Sequence, residues 1–497
     1  MKLFIDGNIN RYYVQTLCMI FFPGAKFSDE EELTPKTDVL RVTVRERDNG
    51  VFAEAEFTSE GKSARAERYE EYNGQRTAER TAKIACGVAV FKAGESLFEC
   101  TPPWGILTGV RPAKMAEELT DGGSSILEVR DILCKDYFVN PKKASLLCDI
   151  VQNERRLISS LGKRTCSVYI SIPFCPTRCA YCSFVSYSTK RLLSMVDDYL
   201  VQLCKDIDRI FAHIKRYGFE TVTVYIGGGT PSILEPAQLS MLLDAINRNT
   251  DVRALREFTL EAGRPYTITA EKLNTAVDGG VNRISVNPQT LNDTVLESIG
   301  RRHTVEDFFK AYNIARESGV KYINTDLIAG LPGESFSSFS RSVDQIIKLR
   351  PENVTFHTFC VKKASDFLRN GTDIYSRNGG ETGKSVDYAQ VKASLGGYVP
   401  YYIYRQKNTV GNFENVGYSL PGAECLYNVF MMEEVHTVFA AGAGAITKMV
   451  APERETILRA DMPKYPYEYL NPENHDKAAR DVDKLIEEFC AQHYPVN

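Results

Sequence analysis

The feature that most constrains the fold is an alternation of short β-rich runs and longer helical runs between residues 167 and 360. Five strand-then-helix units and a sixth strand follow one another, with strands predicted at 168–172, 222–226, 258–261, 283–286, 322–328 and 354–359. Strands that alternate with helices form a parallel sheet with right-handed crossovers. Six strands favour an α/β fold built as an open, partial (β/α)6 barrel, whose functional site lies at the carboxyl ends of the strands.

The segments on either side of this alternation have different patterns. The chain has 497 residues, more than one compact domain usually holds. Residues 39–44 and 51–57 alternate as two strands do, with a turn at 48–50, and residues 71–92 have the pattern of a helix. We predict an N-terminal α+β domain at 1–105, a helical connector at 106–162, the barrel at 163–360 and a C-terminal substrate-covering region at 361–497.

Charge and hydropathy argue against two classes of protein. The formal net charge is −4, which gives no general attraction to nucleic acid. The nearest basic stretch, around Arg111 and Lys114, has no interleaved aromatic residues. The most apolar early run, residues 12–23, is too short to span a bilayer and no cleavage pattern follows it. We expect a cytoplasmic protein without a signal peptide or a membrane span.

Three of the thirteen cysteines form a cluster, Cys175, Cys179 and Cys182, in the spacing C-x3-C-x2-C directly after the first barrel strand. Three thiolates can hold three irons of a [4Fe–4S] cluster, which leaves the fourth iron open to another ligand. A zinc site is the alternative, but no Cys or His follows at finger-like spacing. Cys166 lies nearby but outside the spacing, and the scattered cysteines are typical of buried thiols.

Polar residues and glycines follow the later barrel strands. The second strand ends in Gly227-Gly-Gly-Thr-Pro231, where glycines let the backbone approach a ligand closely. Glu261 ends the third strand, Gln289 follows the fourth and Asp326 lies within the fifth. Any one of them could be a satisfied structural polar group, and the glycines could simply form a turn. The set at successive strand ends favours a binding site.

This order of motifs resembles the radical S-adenosylmethionine (SAM) superfamily, and within it the oxygen-independent coproporphyrinogen III oxidase-like family. The segments 300–304, Gly-Arg-Arg-His-Thr, and 326–333, Asp-Leu-Ile-Ala-Gly-Leu-Pro-Gly, are similar to motifs of that family. The stretches 354–365 and 404–418, and the length of the chain, resemble its longer coproporphyrinogen dehydrogenase branch. The resemblance implies a partial (β/α)6 TIM-like radical SAM barrel with an N-terminal α+β extension and a C-terminal α+β region.

The resemblance also implies the cofactors and the residues that bind them. A [4Fe–4S] cluster on Cys175, Cys179 and Cys182 would bind SAM and cleave it to a 5′-deoxyadenosyl radical. Tyr169 would be catalytic. The positions that contact SAM would be Tyr169, Tyr181, Gly228, Gly229, Thr230, Glu261, Gln289, Arg301 and Asp326. From the residues alone, core packing is an equal alternative for Tyr169.

The activity implied is oxidative decarboxylation of two propionates of coproporphyrinogen III, which gives protoporphyrinogen IX. The partners implied are this porphyrinogen and a one-electron donor such as flavodoxin or ferredoxin. Cationic side chains would bind the propionates, and the candidates are Arg264, Lys362, Lys363, Arg405 and Lys407.

Two positions differ from the well-studied oxidases of the family: Phe184 stands in place of a Cys, and Ser171 in place of a His. Phe184 is typical of the related haem chaperones, but their His-Asn-x-x-Tyr-Trp element is replaced here by Tyr427-Asn-Val-Phe-Met-Met432. The alternatives are therefore a haem-binding chaperone-like protein and a radical SAM enzyme that acts on another tetrapyrrole or on another substrate.

Overall fold

The computed structural model describes the whole chain except residues 28–33, 35–36, 75, 183–186, 361–379, 407–408 and 496–497. The strands of the described part are β1 Lys2–Asp6, β2 Val39–Arg47, β3 Gly50–Ser59, β4 Lys62–Glu71, β5 Thr165–Ile172, β6 Glu220–Gly228, β7 Glu257–Glu261, β8 Arg283–Ser285, β9 Tyr322–Ala329, β10 Asn353–Thr358, β11 Val399–Tyr404, β12 Asn415–Ser419, β13 Thr437–Ala441, β14 Ile446–Val450 and β15 Ile457–Asp461.

The α-helices of the same part are α1 Arg11–Phe21, α2 Ala78–Phe98, α3 Ala113–Asp121, α4 Ile126–Lys135, α5 Pro141–Ile158, α6 Lys190–Leu193, α7 Val196–Arg216, α8 Pro236–Asn247, α9 Ala270–Asp278, α10 Asp293–Ser298, α11 Val305–Glu317, α12 Phe336–Leu349, α13 Gly380–Leu395, α14 Leu426–Met432, α15 Pro466–Tyr469 and α16 Pro472–His493. Over the described ranges, no helix combines the length and the apolar character that a membrane crossing requires.

The six strands β5 to β10 confirm the predicted partial barrel. They lie side by side in chain order, and every neighbouring pair is parallel. The segments between these strands form helices because the apolar residues of those segments recur at helical spacing. In α7, for example, Leu200, Leu203, Ile207 and Ile210 form one buried stripe. Parallel neighbours bring the carboxyl ends of all six strands to the same edge of the sheet.

The C-terminal part of the chain extends this sheet at both edges. β12 pairs antiparallel with β10, and β11 lies beyond it. At the opposite edge β13 pairs parallel with β5, and β14 and β15 continue outward. The sheet therefore has eleven strands in the described part. β11 contains three tyrosines, Tyr401, Tyr402 and Tyr404, and β13 ends just before Gly442.

The N-terminal unit is a separate four-stranded sheet in the order β1 to β4, with the buried helix α2 packed against β3 and β4. The two predicted strands are confirmed as β2 and β3, but the helix predicted over 71–92 is displaced. Glu71 ends β4, whose alternating pattern continues to that residue. The helix begins at Ala78 because the side chain of Thr77 accepts a hydrogen bond from the Arg80 N–H and caps it.

Buried polar contacts connect the segment around Trp104 to the C-terminal part of the chain. The Trp104 Nε1–H donates to Glu414 at 2.9 Å, and the Lys143 Nζ donates to the same carboxylate at 2.7 Å. The guanidinium of Arg405 donates to the Leu107 carbonyl and lies 5.2 Å from the Trp104 ring centroid. The chain that leaves β11 is therefore held against the residues that follow α2.

Candidate cofactor and substrate cavity

A cavity of about 440 Å³ lies at the carboxyl ends of the parallel strands. The structure brings eleven of the twelve predicted site residues to its wall, and only Tyr169 is missing. These eleven are Cys175, Cys179, Tyr181, Cys182, Gly228, Gly229, Thr230, Glu261, Gln289, Arg301 and Asp326. The cavity therefore brings together predicted site residues that lie up to 151 residues apart in the sequence, from Cys175 to Asp326.

The three cysteines lie on the loop that follows β5. Cys175 and Cys179 are 5% and 3% exposed, and Cys182 is half-buried. The Cys175 Sγ lies 3.2 Å from the Thr230 Oγ1. No three His, Cys, Asp or Glu side chains of the described residues are grouped as ligands of one metal ion. An iron–sulfur cluster makes a different demand, because each thiolate binds its own iron.

The surroundings of Cys179 favour the thiolate that iron requires. Burial alone would raise the pKa of its thiol, but Arg301 and Arg264 outweigh burial and lower that pKa. Arg301 is itself fixed in place, since it donates to the Gly263 carbonyl at 2.7 Å and to the Tyr181 hydroxyl at 3.1 Å. The donor set and its electrostatics fit a cluster held by three cysteines.

Glycines allow the end of β6 to approach the cysteine loop. A Cβ at Gly229 would lie 2.4 Å from the Phe174 carbonyl oxygen, closer than any side chain tolerates. The N–H groups of Gly229 and Thr230 donate to the Ile172 and Phe174 carbonyls at 2.7 and 2.8 Å. The glycine motif thus fixes the backbone just before Cys175, in addition to lining the cavity.

Two carboxyl groups also line the cavity, Glu261 at the end of β7 and Asp326 within β9. Burial raises the pKa of Glu261 to about 7, with the Asp326 charge adding to the rise and the Tyr225 hydroxyl, which donates at 2.5 Å, opposing it. Burial also acts on Asp326, but His357 and Asn324 outweigh it and lower the pKa of that group. Two half-buried carboxyl groups on one cavity complement a cationic ligand.

Side chains after β8 present unsatisfied polar atoms to the cavity. Ser285 Oγ, Asn287 Oδ1 and Gln289 Oε1 are buried and have no hydrogen-bond partner within the described part of the chain. The backbone of Gln289 has a φ of 71°, and its N–H and carbonyl bond to β9 at 2.9 Å each. Buried polar atoms are normally satisfied, so these three are expected to bind a ligand.

Of the predicted propionate-binding cations, the structure brings Arg264 to the cavity wall, where its Nη2 donates to the Thr177 carbonyl at 3.0 Å. The prediction for Arg405 is wrong. Its side chain is 5% exposed, is not on the wall of this cavity and is bonded to Leu107 and Asn412. Lys362, Lys363 and Lys407 lie outside the described residues, as does Phe184.

The remaining wall is built by residues that sequence reasoning did not single out. Those on or just after the parallel strands are Tyr225, Ser285, Asn287, Asn324, Thr355 and His357. Those from β11 and α14 are Tyr402, Tyr404, Asn428, Met431 and Met432. The signal for the strand-end residues was the period of two, since Ser285, Asn287 and Gln289 are two residues apart.

Tyr169 is half-buried and is not among the residues that line this cavity. It is paired in register with Tyr225 on β6, and its ring stacks on the rings of Tyr225 and Tyr427, each 6.2 Å away between centroids. Burial raises the pKa of its hydroxyl far above the usual range. The structure therefore places this tyrosine in a buried aromatic stack that supports the cavity wall.

Comparison with known proteins agrees with this geometry. Residues 169–346 match the model of the Radical SAM superfamily. Over 398 residues the chain is 39% identical to the oxygen-independent coproporphyrinogen-III oxidase-like protein HemZ of Bacillus subtilis, and the match covers 79% of each chain. The chain belongs to this coproporphyrinogen-III oxidase-like family of radical SAM proteins.

The chain is also similar to two other proteins, a heme chaperone and a coproporphyrinogen III oxidase. The heme chaperone HemW of Bacillus subtilis is 37% identical over 202 residues, which cover 40% of this chain and 52% of HemW. Coproporphyrinogen III oxidase (HemN) of Escherichia coli shares the fold, with a TM-score of 0.50 and 22% identity over 70% of this chain and 81% of HemN. The cofactors of the superfamily are a [4Fe–4S] cluster and SAM, and the cavity has the donors that both require.

Proposed function

We propose that this protein is a radical SAM enzyme that converts two propionates of coproporphyrinogen III to vinyl groups without oxygen and so forms protoporphyrinogen IX. The observation that supports it best is a single cavity whose wall contains the three cysteines together with carboxyl, aromatic and thioether side chains. The 39% identity to HemZ over most of both chains adds support from a protein named as oxidase-like.

Residues of the cavity wall would hold and orient SAM. Cys175, Cys179 and Cys182 would bind the cluster. Glu261 and Asp326 would face the positive charge of SAM, and the free amide oxygen of Gln289 would accept one of its hydrogen bonds. When bound, the two cofactors supply the one-electron chemistry that removes a hydrogen atom from an unactivated carbon.

Tyr402, Tyr404, Met431 and Met432 also line the cavity and present aromatic and thioether groups, which suit the apolar pyrrole rings of the macrocycle. Arg264 would bind the carboxylate of the propionate that reacts. Each propionate loses one hydrogen atom, one CO2 and one electron as it becomes a vinyl group, so a one-electron acceptor is also required. β11 and α14, which carry these residues, would help to exclude water from the bound substrate.

The test is anaerobic incubation of the cluster-loaded protein with SAM, dithionite and coproporphyrinogen III, followed by mass spectrometry of the oxidised porphyrins. We expect loss of two CO2 with formation of 5′-deoxyadenosine. A matched Cys182→Ala variant should form neither product. Formation of 5′-deoxyadenosine while every propionate stays intact would contradict the proposal and point to another substrate.

A haem-binding, chaperone-like role is the second candidate, and the 37% identity to HemW over 202 residues favours it. The same cavity could then hold haem against its aromatic wall without turnover. Titration with hemin distinguishes the two roles. A stable stoichiometric haem complex, together with no decarboxylation in the assay above, would favour this second candidate.

A further inference from the structure

A second, wider cavity of about 960 Å³ borders the cysteine loop. We call it the basic cleft. It is lined by Pro176, Thr177, Arg178, Ser188, Lys190, Leu193, Asp293, Glu297, Gly300, Arg301, Arg302, His303 and Thr304. Arg301 is the one lining residue that it shares with the cofactor cavity, so this side chain separates the two spaces.

The basic cleft has a local excess of positive charge. Four of its lining residues are Lys or Arg and two are Asp or Glu, although the chain as a whole has a formal charge of −4. Arg178, Lys190 and Arg302 are exposed. The Asp293 Oδ1 accepts a hydrogen bond from the Val305 N–H at 2.7 Å, so this carboxylate also caps α11. An exposed basic patch on an acidic chain favours an acidic partner.

The wall of the cleft lies next to buried cluster ligands. Thr177 and Arg178 fall between Cys175 and Cys179 in the sequence. A Cβ at Gly300 would lie 3.8 Å from the Cys179 Cα, and the Ala180 N–H donates to the Ile299 carbonyl at 3.1 Å. A protein seated in the cleft would therefore be separated from Cys179 by about one layer of residues.

We propose that the basic cleft is the docking surface for an acidic one-electron carrier protein of the flavodoxin or ferredoxin type. The inference rests on the proposed radical SAM activity but does not depend on which substrate is used. Cys175, Cys179 and Cys182 would hold the cluster, which would accept one electron from the reduced carrier with no bond made or broken. Complementary charge steers the encounter and sets the register of the docked carrier.

The test measures electron delivery with no SAM and no porphyrinogen present. Photoreduced flavodoxin is mixed anaerobically with cluster-loaded protein, and its oxidation is followed by flavin absorbance in a stopped-flow instrument. For a Lys190→Glu and Arg302→Glu double variant we expect a second-order rate constant at least about tenfold lower at low salt. The difference should shrink at about 1 M salt, where charges are screened.

A matched double variant, Arg253→Glu and Lys321→Glu, makes the same change in net charge. Both residues are exposed and precede β7 and β9, so they lie at the opposite end of the sheet from the cysteine loop. Its rate should stay close to wild type, and dithionite should reduce the cluster equally in all three proteins. The docking site is contradicted if the cleft variant reacts at the wild-type rate, or if both variants slow equally.

The assay also separates this proposal from the proposed function. A protein that accepts electrons through the basic cleft but leaves coproporphyrinogen III unchanged would contradict only the substrate. A wild-type protein whose iron cannot be reduced even by dithionite would overturn both.

Discussion

At the scale of single residues, replacing any of the three clustered cysteines should lower the iron content of the protein, whereas replacing any of the other ten should not. We expect Cys179→Ala to lose the visible absorption of the cluster and most of its iron, because one ligand is removed from a buried site. Cys166→Ala is the matched control. Cys166 is also buried, but it lies outside the C-x3-C-x2-C spacing, and its Sγ has a long contact of 3.8 Å with the Thr221 Oγ1. Iron content and absorption spectra after anaerobic reconstitution decide the matter, and an unchanged iron content in Cys179→Ala would refute the ligand assignment.

Glu261 should make SAM binding depend on pH. Burial raises its pKa to about 7, so the carboxylate that would face the cationic ligand becomes protonated as the pH falls through that value. SAM affinity should therefore fall by up to about tenfold from about pH 8 to about pH 6. Glu261→Gln should bind SAM weakly at both values. Anaerobic calorimetry on the cluster-loaded protein measures this, and a wild-type affinity that does not vary with pH would contradict the role.

Sequence reasoning predicted eleven residues that the structure brings to the cavity wall, because motifs at or near the carboxyl ends of consecutive parallel strands meet at one edge of the sheet. It missed Ser285 and Asn287, which share the period of two with Gln289 but belong to no recognised motif. It placed Tyr169 at the site, whereas the structure packs this ring against the neighbouring rings of Tyr225 and Tyr427. Which layer of a barrel a side chain occupies depends on strand register, and register follows from pairing between distant segments.

At the scale of elements, the close contact between β6 and the cysteine loop should be essential. In Gly229→Ala, the added Cβ would lie 2.4 Å from the Phe174 carbonyl oxygen, so the backbone before Cys175 must move. We expect a destabilisation of about 1–3 kcal/mol and reduced cluster content. Gly162→Ala, just before β5, is the control, because its nearest neighbouring atom is 3.6 Å away. Urea unfolding and iron analysis should separate the two variants, and equal behaviour would argue against the contact.

The elements differed in how far local sequence determines them. β5 to β10 could be predicted because each strand is followed by a helix of clear periodicity. β11 to β15 could not be placed from sequence alone, because they pair with strands far away in the chain. Thr437, the first residue of β13, pairs with Cys166 of β5 across 271 residues. Pairing over such distances leaves no local pattern, since it depends on the completed barrel.

At the scale of the whole molecule, one buried ion pair connects the segment before the barrel to the segment after it. Lys143 on α5 is 3% exposed and Glu414, beside β12, is 1% exposed. Burial acts to lower the pKa of Lys143, but Glu414 and Asp387 raise it, so the ammonium keeps its charge. Glu414 is next to Asn415, which lines the cofactor cavity. The pair therefore fixes one wall of the site from outside the barrel.

We expect Lys143→Met to destabilise the protein by about 3–5 kcal/mol, because it leaves the buried Glu414 carboxylate without its main partner. The double variant Lys143→Met with Glu414→Gln should recover most of this loss, since the neutral amide oxygen can still accept the hydrogen bond from Trp104. Urea unfolding of the wild type, both single variants and the double variant forms a complete mutant cycle. Additive losses in the cycle would mean that the two charges act independently. Strong coupling between the two substitutions would show that the charges act as a pair. If SAM affinity is also lower in each single variant and returns toward the wild-type value in the double variant, this contact supports the wall of the cofactor cavity.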